Sequence, residues 1–274
     1  MGETQIDFDF ETAGLSAASK RRSRPAWRWR MSVGTLMKLV FACACSFALI
    51  VWLAQGVWAA REAARRSQCM CNYCQILLAL HNYHSEYNVF PPAYVADARG
   101  RPMHSWRVLL LPFMEQSALY NRYNFSEPWN GPNNITLLNS MPNGFACPSR
   151  YSSPTNLTSY VAITGPGTMF PGARSTKLDD VTDGTSNTLM IVEVADVNVP
   201  WTAPIDLDVR TMSFQINDPK RAGISSKHPG GANVGVADGR ARWARNSITP
   251  GKLRAVITIA GGEGLSMDQA LDEN

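Results

Sequence analysis

Sixteen consecutive residues without a charge, LVFACACSFALIVWLA at positions 39–54, constrain this chain more than any other feature. Gln55 and Gly56 interrupt the run mildly, and Val57, Trp58, Ala59 and Ala60 extend it to Arg61. At 1.5 Å per residue, residues 39–60 make a helix about 33 Å long, enough to cross a hydrocarbon core of about 30 Å. Trp27 and Trp29 precede the run, and Trp52 and Trp58 sit toward its other end, as interfacial aromatics do. Lys38 is placed to snorkel. A cleaved signal peptide is the rival reading. It calls for a shorter apolar core and a small-residue cleavage site, which residues 56–60 supply only imperfectly. A buried core helix fits worse still, given the length and the flanking charges.

The flanks set the expected orientation. Seven of the chain's 26 Lys and Arg and four of its 22 Asp and Glu fall in residues 1–38, which leaves 19 cations against 18 anions over residues 39–274. Residues 20–38 carry all seven of those cations and no acid, whereas residues 61–66 carry three Arg and Glu62. The positive-inside rule then predicts a cytoplasmic N-terminus, a lipid bilayer around residues 39–60, and an extracytoplasmic remainder held at the cell's inner (cytoplasmic) membrane. The nearly neutral body lacks the basic face that phosphate contacts need, so nucleic acid is not expected as a partner.

No Pro interrupts the chain from Leu39 to Phe90. Beyond the membrane segment, Tyr73, Ile76, Leu77, Leu80, Tyr83 and Tyr87 recur at helical steps, which predicts an amphipathic continuation ended by Pro91-Pro92. Ser105 is a candidate N-cap for a short helix to Leu111, a second short helix is expected over residues 113–123, and Asn134 is a candidate cap. Residues 158–163 and 189–194 read as strands. Asp238-Gly239 suggests a two-residue hairpin turn pairing Val236 with Ala241 and Val234 with Trp243. Thr249-Pro250 opens a helix with its stripe over Leu253, Val256, Ile257 and Ala260. The resulting class is α+β: a cytoplasmic basic tail (1–38), a transmembrane helix (39–60), an extracytoplasmic domain (61–264) and a loose C-terminal tail (265–274).

Little in the chain suggests catalysis. It contains no G-x-S-x-G, H-E-x-x-H or Walker A sequence. His228 and Asp238 could act as a base and its orienter. The simpler reading gives Asp238 to the turn and leaves His228 hydrogen-bonded to backbone. Glu193, inside the apolar run MIVEV, must be paired or lie at an edge. Cys71-Asn-Tyr-Cys74 is a C-x-x-C, followed by Gln75 where haem attachment needs His. Cys74, His81 and His84 could share a helical face, but no distant Cys/His pair completes a structural zinc pattern, so no metal or cofactor is expected. Cys43 and Cys45 lie in the apolar run. Cys69, Cys71, Cys74 and Cys147 fall outside it, and four cysteines allow three full pairings among which spacing does not choose. Asn124, Asn134 and Asn156 are sequons.

Several segments together resemble a known family: AAREAARRSQC (59–69), LALHNYHSEYNVFPPAYV (78–95), residues 104–134, FACPS (145–149), TSYVAITGPGT (158–168), DVTDGTSNTLMIVEV (180–194) and HPGGANVGVADG (228–239). They are similar to the planctomycete domain of unknown function 1559 family, whose members are prepilin-like and carry His, nine residues, then Asp-Gly, as His228 and Asp238-Gly239 do. The resemblance implies a pseudopilin-like architecture, a long N-terminal helix leading into a head with an antiparallel sheet. It implies no activity, with pseudopilin-like or cell-envelope proteins as the partners to expect. It also implies a Cys69–Cys147 disulfide, since those two match the usual family cysteines, and a structural role for His228, Asp238 and Gly239. The front departs from the pattern: Leu39 stands where the prepilin leader's helix carries Glu, so a permanently anchored relative is expected ahead of a filament subunit.

Overall fold

The computed structural model describes residues 32–150, 156–195 and 197–271. The expected cytoplasmic tail falls outside these residues up to position 31. The chain divides into two units, Met1–Leu53 and Ala54–Asn274.

A single helix, α1 (Val33–Tyr87), begins six residues ahead of the expected apolar segment. Ser32 Oγ accepts the Thr35 N–H at its start, and Ser46 Oγ donates to the Ala42 carbonyl along the helix. In the first unit its large apolar side chains are exposed, Phe41 at 72% and Phe47 at 70%.

In the second unit the elements that follow are β1 (Tyr94–Ala96), β2 (Pro102–Ser105), α2 (Trp106–Leu109), α3 (Ser117–Arg122), β3 (Leu157–Thr158), β4 (Tyr160–Thr164), β5 (Leu189–Glu193), β6 (Val199–Pro200), β7 (Leu207–Asp208), β8 (Gly231–Val236), β9 (Ala241–Arg245), α4 (Pro250–Ala255) and α5 (Met267–Leu271). A five-stranded sheet in the order β7-β4-β5-β8-β9 organises them, antiparallel except for the parallel β4–β7 pair.

Each face of this sheet has its own core. Strand alternation sends Tyr160 and Ala162 to one face and Val161 and Ile163 to the other. The first face receives α1 through Cys69, Tyr73, Ile76, Leu77 and Leu80, with Trp106, Phe145, Phe170 and Trp201 around them. Burying each of these large apolar side chains contributes about 1.5–3 kcal/mol. Val192, Val234 and Val236 pack on the other face with Leu253, Val256, Ile257, Met267 and Leu271. A bulge between Leu189 and Ile191 turns both Met190 and Ile191 toward the helix side, and two-residue alternation from Ile191 puts Glu193 there as well.

Several expectations need correction. The buried stripe of α1 stops short of Tyr87, which is exposed, and the helix ends one residue later on a left-handed Asn88 whose N–H bonds to the His84 carbonyl, before the prolines are reached. Ser105 does cap, accepting from the Arg107 N–H, but α2 runs only to Leu109, and a 3-10 turn over Leu111–Met114 accommodates Pro112. Asn134 opens a 3-10 turn without capping it. Its fully buried amide staples the preceding loop, accepting from the Asn124 N–H and donating to the Asn124 and Pro128 carbonyls, so in the folded chain it is no glycan acceptor.

The hairpin register is shifted by one. Gly235 pairs with Ala241 and Asn233 with Trp243, around a three-residue loop in which Gly239 is left-handed (φ 88). This is a turn plus bulge, for which Asp-Gly is as suitable as for the two-residue turn. The shift moves Ala241 and Trp243 to the face of Gly235 and Ala237, which is the one that meets α1. Thr249 caps α4 as expected, though the helix ends at Ala255. The tail is not loose over residues 267–271: α5 buries Met267, Ala270 and Leu271.

Candidate functional site

Four elements of the second unit bring two thiols, a carboxylate and an imidazole to one place. Cys69 lies one turn before Tyr73 on the buried face of α1. Cys147 follows the 3-10 turn Asn143–Phe145, which the buried Phe145 ring anchors, and its N–H donates to Ser159 Oγ at 3.0 Å. Glu193 ends β5, and His228 stands three residues before β8 with its N–H donated to Ser226 Oγ. The donor atoms of Cys69, Cys147, Glu193 and His228 all lie within 4.8 Å of one another, and all four residues are buried.

Within the cluster Cys147 Sγ is 3.5 Å from His228 Nε2, and Cys69 Sγ is 3.8 Å from Glu193 Oε2. A second layer of polar groups surrounds it. Tyr160 Oη is 3.2 Å from Cys69 Sγ, and Asn72 Nδ2 donates to Tyr160 Oη and to the Ala146 carbonyl. Asn233 is fully buried, its side chain has no hydrogen-bond partner among the described residues, and its amide helps to lower the Cys69 thiol. On the far side of the imidazole, His228 Nδ1 is 2.5 Å from Glu62 Oε1, with Ser149 Oγ at 3.4 Å. Arg65 pairs with the same Glu62 carboxylate at 2.6 Å.

The charges are mutually dependent. The contact with Cys147 brings the Cys69 thiol down to about 5, while the contact with Cys69 pushes Cys147 up, so the pair holds one thiolate and one thiol. Burial raises Glu193 to about 8. Burial acts against a charged His228, but contacts with Cys69 and Glu62 outweigh it and raise the imidazole to about 9. Burial also opposes ionisation of Glu62; His228 and Arg65 outweigh it and hold the carboxyl below its usual range. Since an ionised Glu62 can only accept, Nδ1 carries the proton toward it, and Nε2 is the nitrogen left to the cluster.

Cys69 and Cys147 are thus brought together as free thiols, with no disulfide bond between them. His228 uses its ring on side chains, not on the backbone as the simpler reading expected. Asp238 and Gly239 do form the turn, where Asp238 accepts the Arg240 N–H and pairs with its guanidinium and so serves no base. His81 packs edge-on against Phe90 beside Gly239, and Cys71 and Cys74 are exposed, so C-x-x-C and the two helix histidines form no common site. Glu193, flagged only as a buried carboxylate in need of a partner, belongs to the cluster. Glu62 was missed, although it stands seven residues before Cys69 on the same helical face, a usable signal.

The family model described as protein of unknown function (DUF1559) matches residues 58–209, more than half of the chain. Cys69, Cys147 and Glu193 fall inside the matched segment, and His228, Asp238 and Gly239 beyond it. No curated protein and no solved structure matches the chain.

Proposed function

Because the chain belongs to the DUF1559 family, whose description states no activity, we propose a function from its physical organisation: a single-pass membrane protein presenting a non-catalytic structural or interaction domain outside the cytoplasm. One observation carries this reading. The α1 segment that opens the described chain is long and apolar enough to cross a membrane, and none of its most apolar stretch is buried within the protein. Phe41, Phe47, Ile50, Trp52 and Trp58 are all more than 60% exposed, an apolar surface that water tolerates poorly and lipid accepts. The positive charge ahead of it supports a cytoplasmic N-terminus.

The proposed topology is tested with the protein's own thiols. Cys71 and Cys74 are exposed on α1 beyond the apolar stretch. A membrane-impermeant maleimide applied to intact inner-membrane-bounded cells should label them without lysis, and the protein should stay with the membrane through a carbonate wash. Labelling only after lysis reverses the orientation, and a freely soluble product removes the anchor.

A pseudopilin-like filament subunit is the second reading, favoured by a helix that runs unbroken from Val33 to Tyr87. Leu39, where such leaders carry Glu, weighs against it. Sequencing the mature N-terminus separates the two: a methylated start at Thr35 supports the filament subunit, and an intact Met1 supports the permanent anchor.

A further inference from the structure

We propose that Cys69, Cys147, Glu193 and His228 form a closed structural site for one divalent metal ion of the zinc class, which clamps the buried face of α1 to the sheet. The donor set points to such an ion. Two sulfurs, one imidazole nitrogen and one carboxylate oxygen suit zinc and its tetrahedral relatives, whereas calcium and magnesium take oxygen ligands. The spacing agrees. With metal–sulfur bonds of about 2.3 Å and metal–nitrogen or –oxygen bonds of about 2.0–2.2 Å, neighbouring ligands of a tetrahedron stand about 3.5–3.8 Å apart. The Cys147 Sγ–His228 Nε2 and Cys69 Sγ–Glu193 Oε2 separations are 3.5 and 3.8 Å.

The layer behind the ligands makes an independent case. A metal-bound imidazole regularly donates its other N–H to a carboxylate, which fixes the tautomer and the ring plane. His228 does so toward Glu62 at 2.5 Å, leaving Nε2 turned inward, and Arg65 holds Glu62 in turn. The hydroxyl of Tyr160 is placed to donate to a Cys69 thiolate, and the buried amide of Asn233 has no hydrogen-bond partner among the described residues.

A divalent ion supplies the positive partner that a buried Glu193 carboxylate needs. Glu193 is 1% exposed and pairs with no Arg or Lys among the described ion pairs. Two thiolates and one carboxylate bring three negative charges to an ion carrying two positive ones, with His228 neutral. Every ligand binds in its deprotonated form, so binding releases the protons held by the thiol, the imidazolium and the buried carboxyl to solvent. Four protein ligands leave no position for water or substrate, so the ion holds structure and performs no reaction.

A Cys69–Cys147 disulfide is the competing state, because the same sulfurs cannot do both. It would leave Glu193 with the His228 imidazolium as its one charge partner in the cluster, beside two neutral sulfurs.

The test uses the full chain in detergent, purified without chelator and without reductant. Metal analysis should find about one zinc per chain, retained when Cys71 and Cys74 are both changed to Ser. Reconstitution of stripped protein with Co2+ alone should give the visible bands of tetrahedral cobalt and a thiolate-to-cobalt charge-transfer band. Glu62→Gln, which leaves all four ligands intact, should weaken zinc binding about 10- to 100-fold. His228→Gln should abolish stoichiometric binding. A stably folded, metal-free wild type overturns the proposal, whether mass spectrometry finds a Cys69–Cys147 disulfide or two free thiols. So does metal that survives His228→Gln unchanged or disappears with Cys71 and Cys74. Membrane attachment is read separately from the wash, so either result leaves the topology independently decided.

Discussion

Glu62 and His228, 166 residues apart in the chain, meet at 2.5 Å between Oε1 and Nδ1, and this pair ties the helix to the start of a sheet strand. The His228 side chain is fully buried and that of Glu62 only 14% exposed, so the imidazole has little water to fall back on. Replacing Glu62 with Ala should therefore lower the stability of the metal-stripped protein by about 1–3 kcal/mol, since a buried donor loses its charged acceptor. Urea unfolding in detergent measures this. A loss below about 0.5 kcal/mol would mean that Ser149, 3.4 Å from the same nitrogen, satisfies His228 on its own.

Arg107 and Asp206 form a second buried ion pair, 2.7 Å apart with side chains 0% and 4% exposed. The guanidinium also donates to Ser105 Oγ and the Tyr160 carbonyl, and the carboxylate accepts from Trp106 Nε1 and the Ala162 N–H. Arg107→Met leaves that carboxylate buried without its cation and should cost about 3–5 kcal/mol. Arg107→Lys restores charge but not the fork of donors, and should fall between the two. Equal stability of Met and wild type in chemical denaturation would show the pair to be dispensable.

Gly235 admits α1 to the sheet. A Cβ there would stand 2.6 Å from Ile191 Cγ1, 3.1 Å from Tyr73 Cδ1 and 3.2 Å from Leu77 Cδ2. Gly235→Ala should destabilise by about 1–3 kcal/mol through overpacking. Gly251, inside α4, provides the contrast, because a Cβ added there would meet nothing within 4 Å. Gly251→Ala should stabilise by about 0.5–1 kcal/mol. Thermal melts of the two variants should move in opposite directions.

His104 sets a pH dependence. Its ring is buried, with Nδ1 3.0 Å from Tyr123 Oη, and burial lowers its pKa from the ordinary 6.5. The unfolded chain takes up a proton near that value while the folded one resists, so stability is complete above it and declines as pH falls through the folded value. Relative to wild type, His104→Gln should show a shallower loss of stability between about pH 7 and 5. Parallel curves would assign the acid sensitivity to other groups.

Much of the architecture was legible along the chain. The apolar helix, the two strands containing Tyr160 and Glu193, and the caps at Ser105 and Thr249 follow from periodicity and local hydrogen-bonding chemistry. The hairpin was legible only in part, because Asp238-Gly239 suits two loop lengths and the choice decides which face Ala241 and Trp243 occupy. α5 escaped detection because five residues carry too little periodicity, and Met267 and Leu271 are ordered by the sheet face they cover. In the cluster, Cys69 and Cys147 could be paired through the family resemblance, and Glu193 stood out as a carboxylate among apolar neighbours. Their meeting with His228 and Glu62 could not be read, since no spacing encodes it.

The sequence by itself determined where an apolar helix lies, that residues 158–163 and 189–194 extend, and that Ser105 and Thr249 cap helices, because those properties depend on contiguous residues and their nearest neighbours. Tertiary structure alone decided that two thiols, a carboxylate and an imidazole share one buried volume with donor atoms within 4.8 Å. Cys69 reaches it only because Tyr73 and Leu77 seat α1 against Gly235, and Glu193 only because a bulge turns its strand. Convergence of this kind is set by packing between elements distant in the chain, where each side chain's direction depends on all the others.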